Sequence, residues 1–222
     1  MSIIVQYTDP TALPDTPYNM WANGELDDFV HAPEGSKVEV IGGRIVVSPA
    51  PVVRHNTIIY AVSDALTFAR AGNPGFPWRP IQTSRVGFTG IGDGYVPDLI
   101  VLDAAMLVEA EDADVQGFVP DQIEMAVEVT SPGNAGDDRR PSAHRGQEQR
   151  PTKWTGYARA EIPYYLLVDR DPKVASTTLY SIPDQATGAY LHKETWAFGE
   201  TVLLPEPFGI EIDTSRWKPW KP

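Results

Sequence analysis

Cysteine is absent from all 222 residues. Disulfides and thiolate zinc sites are thereby excluded. Histidine is scarce: His31, His55, His144 and His192 are too scattered to suggest a histidine metal cage. Any metal partner is expected to be a hard, oxygen-preferring ion. No apolar run reaches membrane-spanning length and no signal-peptide pattern opens the chain, so a cytoplasmic location without a membrane partner is expected. Positive charge is also short: 18 Lys and Arg stand against 30 Asp and Glu, a net −12. An acidic protein repels phosphate at long range, which argues against a nucleic-acid partner. The deficit is uneven, however, because Arg139, Arg140, Arg145, Arg150 and Lys153 fall in one stretch. A bound cation would cancel part of the remainder locally.

What is present fits one domain with a sizeable core, since 42% of residues are hydrophobic and 22% charged. Residues 1–20 hold several prolines and little periodicity and read as an extended arm ahead of a single domain over 21–222. Asn23 suits the cap of a short helix with Leu26, Phe29 and Val30 on one face. Residues 38–47 read as a hairpin turning at Gly42-Gly43. From Val53 to Arg70, Ile58, Val62, Leu66 and Ala69 recur at helical spacing. Residues 80–88 and 95–102 read as two strands, 104–120 as acidic and irregular, and 123–130 as a strand stopped at Pro132. The polar, basic stretch 133–150 reads as a loop, and Pro151 suits the first turn of a helix running to about Ala160. Residues 164–168 are almost wholly apolar, hence a central strand, and antiparallel strands follow. This order of elements predicts a mixed α/β sheet.

Two acids stand out within it. Pro-Asp dipeptides occur four times, and only Pro97-Asp98 runs straight into a strongly apolar strand. Glu128 lies among Ala126, Val127 and Val129, so its strand reads as buried on both faces. A lone buried carboxylate needs a metal or a charged partner; an ion pair with an arginine is the plain alternative for Glu128. Asp121 would be roughly 23 Å from Glu128 at about 3.3 Å per residue, too far to share a metal. Asp98 is therefore the better partner. Lys153 and Tyr157 are four apart and share a helix face, although a surface lysine is the ordinary reading. Glu39 points inward in one reading of its hairpin and to solvent in the other. His55 reads more readily as a hydrogen-bonded histidine than as a catalytic one. Acids on neighbouring strands with a lysine nearby suit a metal that activates water against a phosphodiester.

These segments resemble the Uma-two family of endonucleases, a branch of the PD-(D/E)XK nuclease superfamily. The match runs from Val38-Glu39-Val40-Ile41-Gly42-Gly43 through Ser48-Pro49-Ala50-Pro51 with His55 to Val96-Pro97-Asp98-Leu99. Glu128-Val129-Thr130-Ser131-Pro132-Gly133-Asn134 and Lys153 to Tyr157, with Ala158, Ile162 and Pro163, complete it. The resemblance implies a restriction-endonuclease-like fold, a mixed β-sheet flanked by helices with the site at one sheet edge. It implies a nuclease acting on nucleic acid, DNA in the first instance, with Mg²⁺ or Mn²⁺ held by Asp98, Glu128, the Val129 carbonyl and Glu39. Lys153 and Tyr157 join the catalytic set, and Arg139, Arg140, Arg145 and Arg150 become phosphate contacts. The superfamily lysine normally follows the second acid by two residues, where this chain has Thr130; in this family Lys153 takes its place. Arg140-Pro141 is echoed at Arg150-Pro151, which looks like an inserted basic loop within 137–150 that either loops out or displaces Lys153. Cleavage of both strands would favour a homodimer. Two other readings remain: a catalytically inactive domain of the same fold serving as a binding or regulatory partner, and a glycosidase acid/base pair, which needs neither metal nor lysine.

Overall fold

Gly42 and Gly43 both adopt positive φ, 57° and 71°, the conformation a two-residue hairpin turn demands. They join β1 (Lys37–Ile41) to β2 (Arg44–Ser48) in antiparallel register, with Glu39 opposite Val46. This hairpin belongs to the computed structural model of the chain, which describes residues 13–142 and 150–221. The further strands are β3 (Trp78–Gln82), β4 (Arg85–Phe88), β5 (Asp93–Tyr95), β6 (Leu99–Asp103), β7 (Gly117–Phe118), β8 (Met125–Val129), β9 (Tyr164–Asp169), β10 (Ser176–Asp184), β11 (Ala189–Ala197), β12 (Val202–Leu204) and β13 (Ile210–Ile212). The helices are α1 (Pro17–Ala22), α2 (Leu26–Phe29), α3 (Val53–Gly72), α4 (Ala104–Asp112), α5 (Ala135–Asp138) and α6 (Lys153–Arg159).

The strands form two main sheets rather than one. Five pair in the order β2-β1-β5-β4-β7, and six in the order β11-β10-β9-β8-β6-β3. The larger sheet is mixed: β8 and β9 run parallel, joined by a crossover that carries α5 and α6, while its other pairs are antiparallel. β9 is central, as its apolar composition predicts.

Alternation along the strands sets the layers. Leu99, Val101, Val127 and Val129 face α3, where Ile58, Ile59, Val62 and Leu66 cover them. Ile100, Leu102 and Ala126 face the other way, onto Tyr157 and Ala158 of α6 and onto Ile41, Val86, Phe88 and Tyr95 of the smaller sheet. Val38 and Val40 of β1 turn outward against Met20, Trp21 and Leu26 of α1 and α2. Glu39 must therefore turn inward with Ile41, between the two sheets.

Several expectations need correction. The expected strands at 80–88 and 95–102 each divide, the first at Thr83 (φ 51°) and the second at Val96 to Asp98, and each contributes a strand to both main sheets. Residues 104–112 are helical, not irregular: the Asp103 carboxylate accepts the Ala105 N–H (2.7 Å), and Met106, Leu107 and Ala110 pack inward. The arm expected over 1–20 is helical from Pro17, with Thr16 accepting the Asn19 N–H (3.2 Å); residues 1–12 lie outside the described residues. Among the described residues no helix is long and apolar enough to cross a membrane.

Candidate active site

The first acid is positioned by a proline and a ladder end. Pro97 has no N–H to pair, so β6 begins after it, and Asp98 stands at the strand mouth. β6 and β8 pair with Leu99 opposite Val127. One further step of that register sets Asp98 opposite Glu128, and directly opposed residues have Cβ atoms about 5 Å apart. The Val129 N–H donates to Asp98 Oδ2 (2.8 Å) where the ladder stops. That bond ties the Val129 backbone to the first acid.

Glu128 sits in mid-strand, 2% exposed, on the face that looks at α6. Its Oε1 accepts from Lys153 Nζ (3.0 Å) and from the Tyr157 hydroxyl (2.7 Å). Lys153 Nζ also lies 2.9 Å from Glu39 Oε1 and 3.5 Å from Asp138 Oδ1. Glu39 Oε1 in turn accepts the Val96 N–H (2.8 Å). The structure thus brings together Asp98, Glu128, Glu39, Lys153 and Tyr157. The ion pair of Glu128 is with a lysine, not an arginine.

Two glycines hold α6 against this cluster. A Cβ on Gly156 would overlap the Tyr95 hydroxyl and come within 2.8 and 2.9 Å of its ring carbons. A Cβ on Gly42 would lie 2.9 Å from the Pro151 ring. Gly42 and Gly43 are themselves pinned, their N–H groups donating to Asp93 (2.8 and 3.0 Å), which also takes the Tyr95 hydroxyl (2.7 Å). Pro151, just ahead of α6, is therefore held at a fixed point, and Lys153 lies within the cluster.

Three participants carry weak sequence signals. Lys37 Nζ pairs with Asp98 Oδ1 and donates to the Val96 carbonyl (3.1 Å); it precedes Glu39 by two residues and so shares its face. His55 Nε2 lies 2.9 Å from Asp98 Oδ2, so this helix-start histidine meets an acid instead of core. Asp138 is 1% exposed, and its Oδ1 has no hydrogen-bond partner among the described residues. Thr130, at the usual lysine position, donates to Asp169 (3.2 Å) and accepts the Arg170 N–H (2.9 Å).

The electrostatics follow from crowding charge into a dry place. Burial pushes Asp98 up, but Lys37 and the His55 hydrogen bond outweigh it and hold the acid well below the usual carboxylate range. Burial raises Glu128, Lys153 only partly offsets this, and Asp98 adds to it. Asp138 is pushed well above the ordinary range by burial. Burial lowers Lys153, yet Glu128, Glu39 and Asp138 carry it well above its ordinary value. Four buried carboxyl groups, Glu39, Asp98, Glu128 and Asp138, outnumber the two lysines, Lys37 and Lys153, that pair with them. That excess, the orphaned Asp138 oxygen and an all-oxygen donor set fit a hard divalent cation. The fit is to a site of one or two carboxylates with water. Among the described residues no three His, Cys, Asp or Glu side chains form a ready cage.

A cavity of about 380 Å³ opens onto Asp98, lined by Lys37, Arg54, His55, Arg170 and Lys221 together with Pro49 to Val52 and Trp220. Lys153 does not line it. The basic stretch before α6 is placed differently from expectation. Arg139 is engaged by Asp169 (2.7 Å) and Asp171 (3.1 Å), and Arg150 by Asp137 (3.2 Å). Arg140 lies over the Trp154 ring (5.5 Å), and Arg145 lies outside the described residues. The cations that line the cavity beside Asp98 come instead from β1, α3, the end of β9 and the C-terminal segment.

A profile of the family described as "Uma2: putative restriction endonuclease" matches residues 26–215. No curated protein matches. A solved structure, that of a "putative nuclease belonging to DUF820" from Anabaena variabilis, is similar in fold: TM-score 0.54 and 21% identity, over 82% of this chain and 89% of that one. The profile spans most of the 222 residues and includes Lys37, Glu39, Asp98, Glu128, Asp138 and Lys153. The chain belongs to the Uma2 family.

Proposed function

We propose that this protein is a metal-dependent endonuclease that hydrolyses phosphodiester bonds of nucleic acid, with DNA as its substrate. One observation carries the reading: Asp98 and Glu128 lie on opposed strand positions in a buried cluster where four carboxyl groups outnumber two lysines, beside a cation-lined cavity. Asp98, Glu128 and the Val129 backbone would hold Mg²⁺ or Mn²⁺, with Glu39 beside them. Such an ion supplies Lewis-acid polarisation of the phosphate and a water of lowered pKa. Tyr157 fixes the Glu128 carboxylate through its hydroxyl. Lys153 holds Glu128 and Glu39 in place and balances their charge. Lys37, which reaches the cavity, is the lysine placed to meet a phosphate oxygen and to stabilise the charge that grows there. Cutting both strands of a duplex would take two copies of the chain.

The test is titration calorimetry of Mn²⁺ into the wild type and Asp98→Ala/Glu128→Ala, with and without DNA, alongside cleavage of plasmid DNA in Mg²⁺, Mn²⁺ and EDTA. Binding and EDTA-sensitive cleavage, both lost in the double variant, are expected. Metal-dependent cleavage that survives Asp98→Ala would overturn the scheme. One observation favours a second reading, an inactive domain on the same fold: Asp98 already holds Lys37 and His55. It predicts no Mn²⁺ binding to either form, even with DNA.

A further inference from the structure

The cavity beside Asp98 has two characters at once. Its cations, Lys37, Arg54, Arg170 and Lys221, face a single carboxylate, Asp98, in a protein of net charge −12. Its walls are mostly apolar residues: the Pro49 to Val52 turn, Pro132 and Trp220. Arg170 is 2% exposed, yet neither it nor Arg54 has an acidic partner within 4 Å among the described residues. Both guanidiniums reach backbone carbonyls of the C-terminal segment instead, Arg170 to Lys218 (3.4 Å) and Arg54 to Pro219 (3.3 Å). The Trp220 N–H closes the arrangement on the Arg170 carbonyl (3.0 Å). Two neighbouring guanidiniums without a counter-charge, one of them buried, form a place for an anion.

The outer surface of a duplex offers phosphates and sugars but no bare ring face. A cavity that joins paired guanidiniums to an aromatic wall suits a phosphate that carries an exposed base. Its volume of about 380 Å³ falls in the small-ligand range of ~300–1,000 Å³. We infer that this cavity receives one unstacked nucleotide of the substrate, its base against Trp220 and its phosphate at Arg54 and Arg170, so that the preferred substrate is single-stranded or locally opened nucleic acid. The inference rests on the nuclease reading and narrows it. Sugar identity is not set by these groups, since phosphate and ring face are common to DNA and RNA.

The experiment is fluorescence anisotropy in EDTA, where nothing is cut, with a labelled 12-nucleotide DNA strand, the same sequence as RNA, and the DNA duplex. Wild type, Trp220→Ala and Trp220→Phe are compared, with urea melts to confirm that each is folded. A strand should bind more tightly than the duplex. Trp220→Ala should weaken strand binding by about 5- to 150-fold, the loss of one base–aromatic stack, and Trp220→Phe should restore most of it. Equal strand binding by wild type and Trp220→Ala, or tighter duplex binding indifferent to Trp220, overturns the inference. If Asp98-dependent cleavage of duplex persists in that case, the nuclease reading survives alone. If nothing binds and nothing is cut, both fail.

Discussion

Replacing Lys153 by Met removes a charge while keeping a long apolar stem. Lys153 is 2% exposed, and its Nζ stands 2.9, 3.0 and 3.5 Å from Glu39, Glu128 and Asp138. Its loss leaves three buried carboxylates without their common counter-ion, a change that costs about 3–5 kcal/mol. With m about 2–3 kcal/mol/M, the urea midpoint should fall by about 1–2.5 M at pH 8 in EDTA, read by tryptophan fluorescence. The deficit should depend on pH in one direction. Glu128 and Asp138 already bind protons more readily folded than unfolded, and loss of Lys153 strengthens that preference. Stability of the variant is therefore lost as pH rises from the unfolded carboxylate range through the folded values, and recovered toward pH 5. The wild type keeps its Lys153 contribution throughout this window, because a raised lysine loses it only above about pH 10.4. Equal midpoints at pH 8, or a deficit that does not shrink toward pH 5, would refute the charge argument.

Two other substitutions probe the same cluster. Gly156→Ala would gain about 1 kcal/mol of helix propensity but lose about 3 to overlap with the buried Tyr95 ring, so a net loss of about 2 kcal/mol is expected in urea unfolding; a variant as stable as wild type would show that α6 can shift freely. Asp138→Asn removes a buried carboxyl group that burial pushes well above its ordinary range, and should raise Tm by about 2–4 °C in EDTA, or about 1 kcal/mol; a lowered Tm would mean that its pairing with Lys153 (3.5 Å) outweighs the cost of burial.

Legibility in the sequence was greatest where one residue broke a strong pattern. Glu128 interrupts an apolar strand, and Asp98 follows a proline at a strand mouth, so both are visible as buried acids. The helix at 53–72 and the hairpin turn carry period and glycine signals that local physics enforces. Lys37 was not visible, because a lysine at a strand start is ordinary until the opposing strand is known. His55 resembles any helix-start histidine, and only the approach of α3 to β6 gives it an acid. The arginines are ambiguous for the same reason: clustering along the chain says nothing of which acids the fold supplies, and Arg139 pairs with Asp169 and Asp171. The division into two main sheets passes through breaks at Thr83 and at Val96 to Asp98, and the backbone conformation at Thr83 is one that composition does not announce.

The contact of Pro151 with Gly42 has an architectural consequence. Pro151 meets a turn that Asp93 clamps by two amides. The start of α6 is thereby referenced to the hairpin that carries Glu39. Lys153 and Glu39 are set from one mechanical datum, so a shift of that turn would carry both partners of the ion pair together.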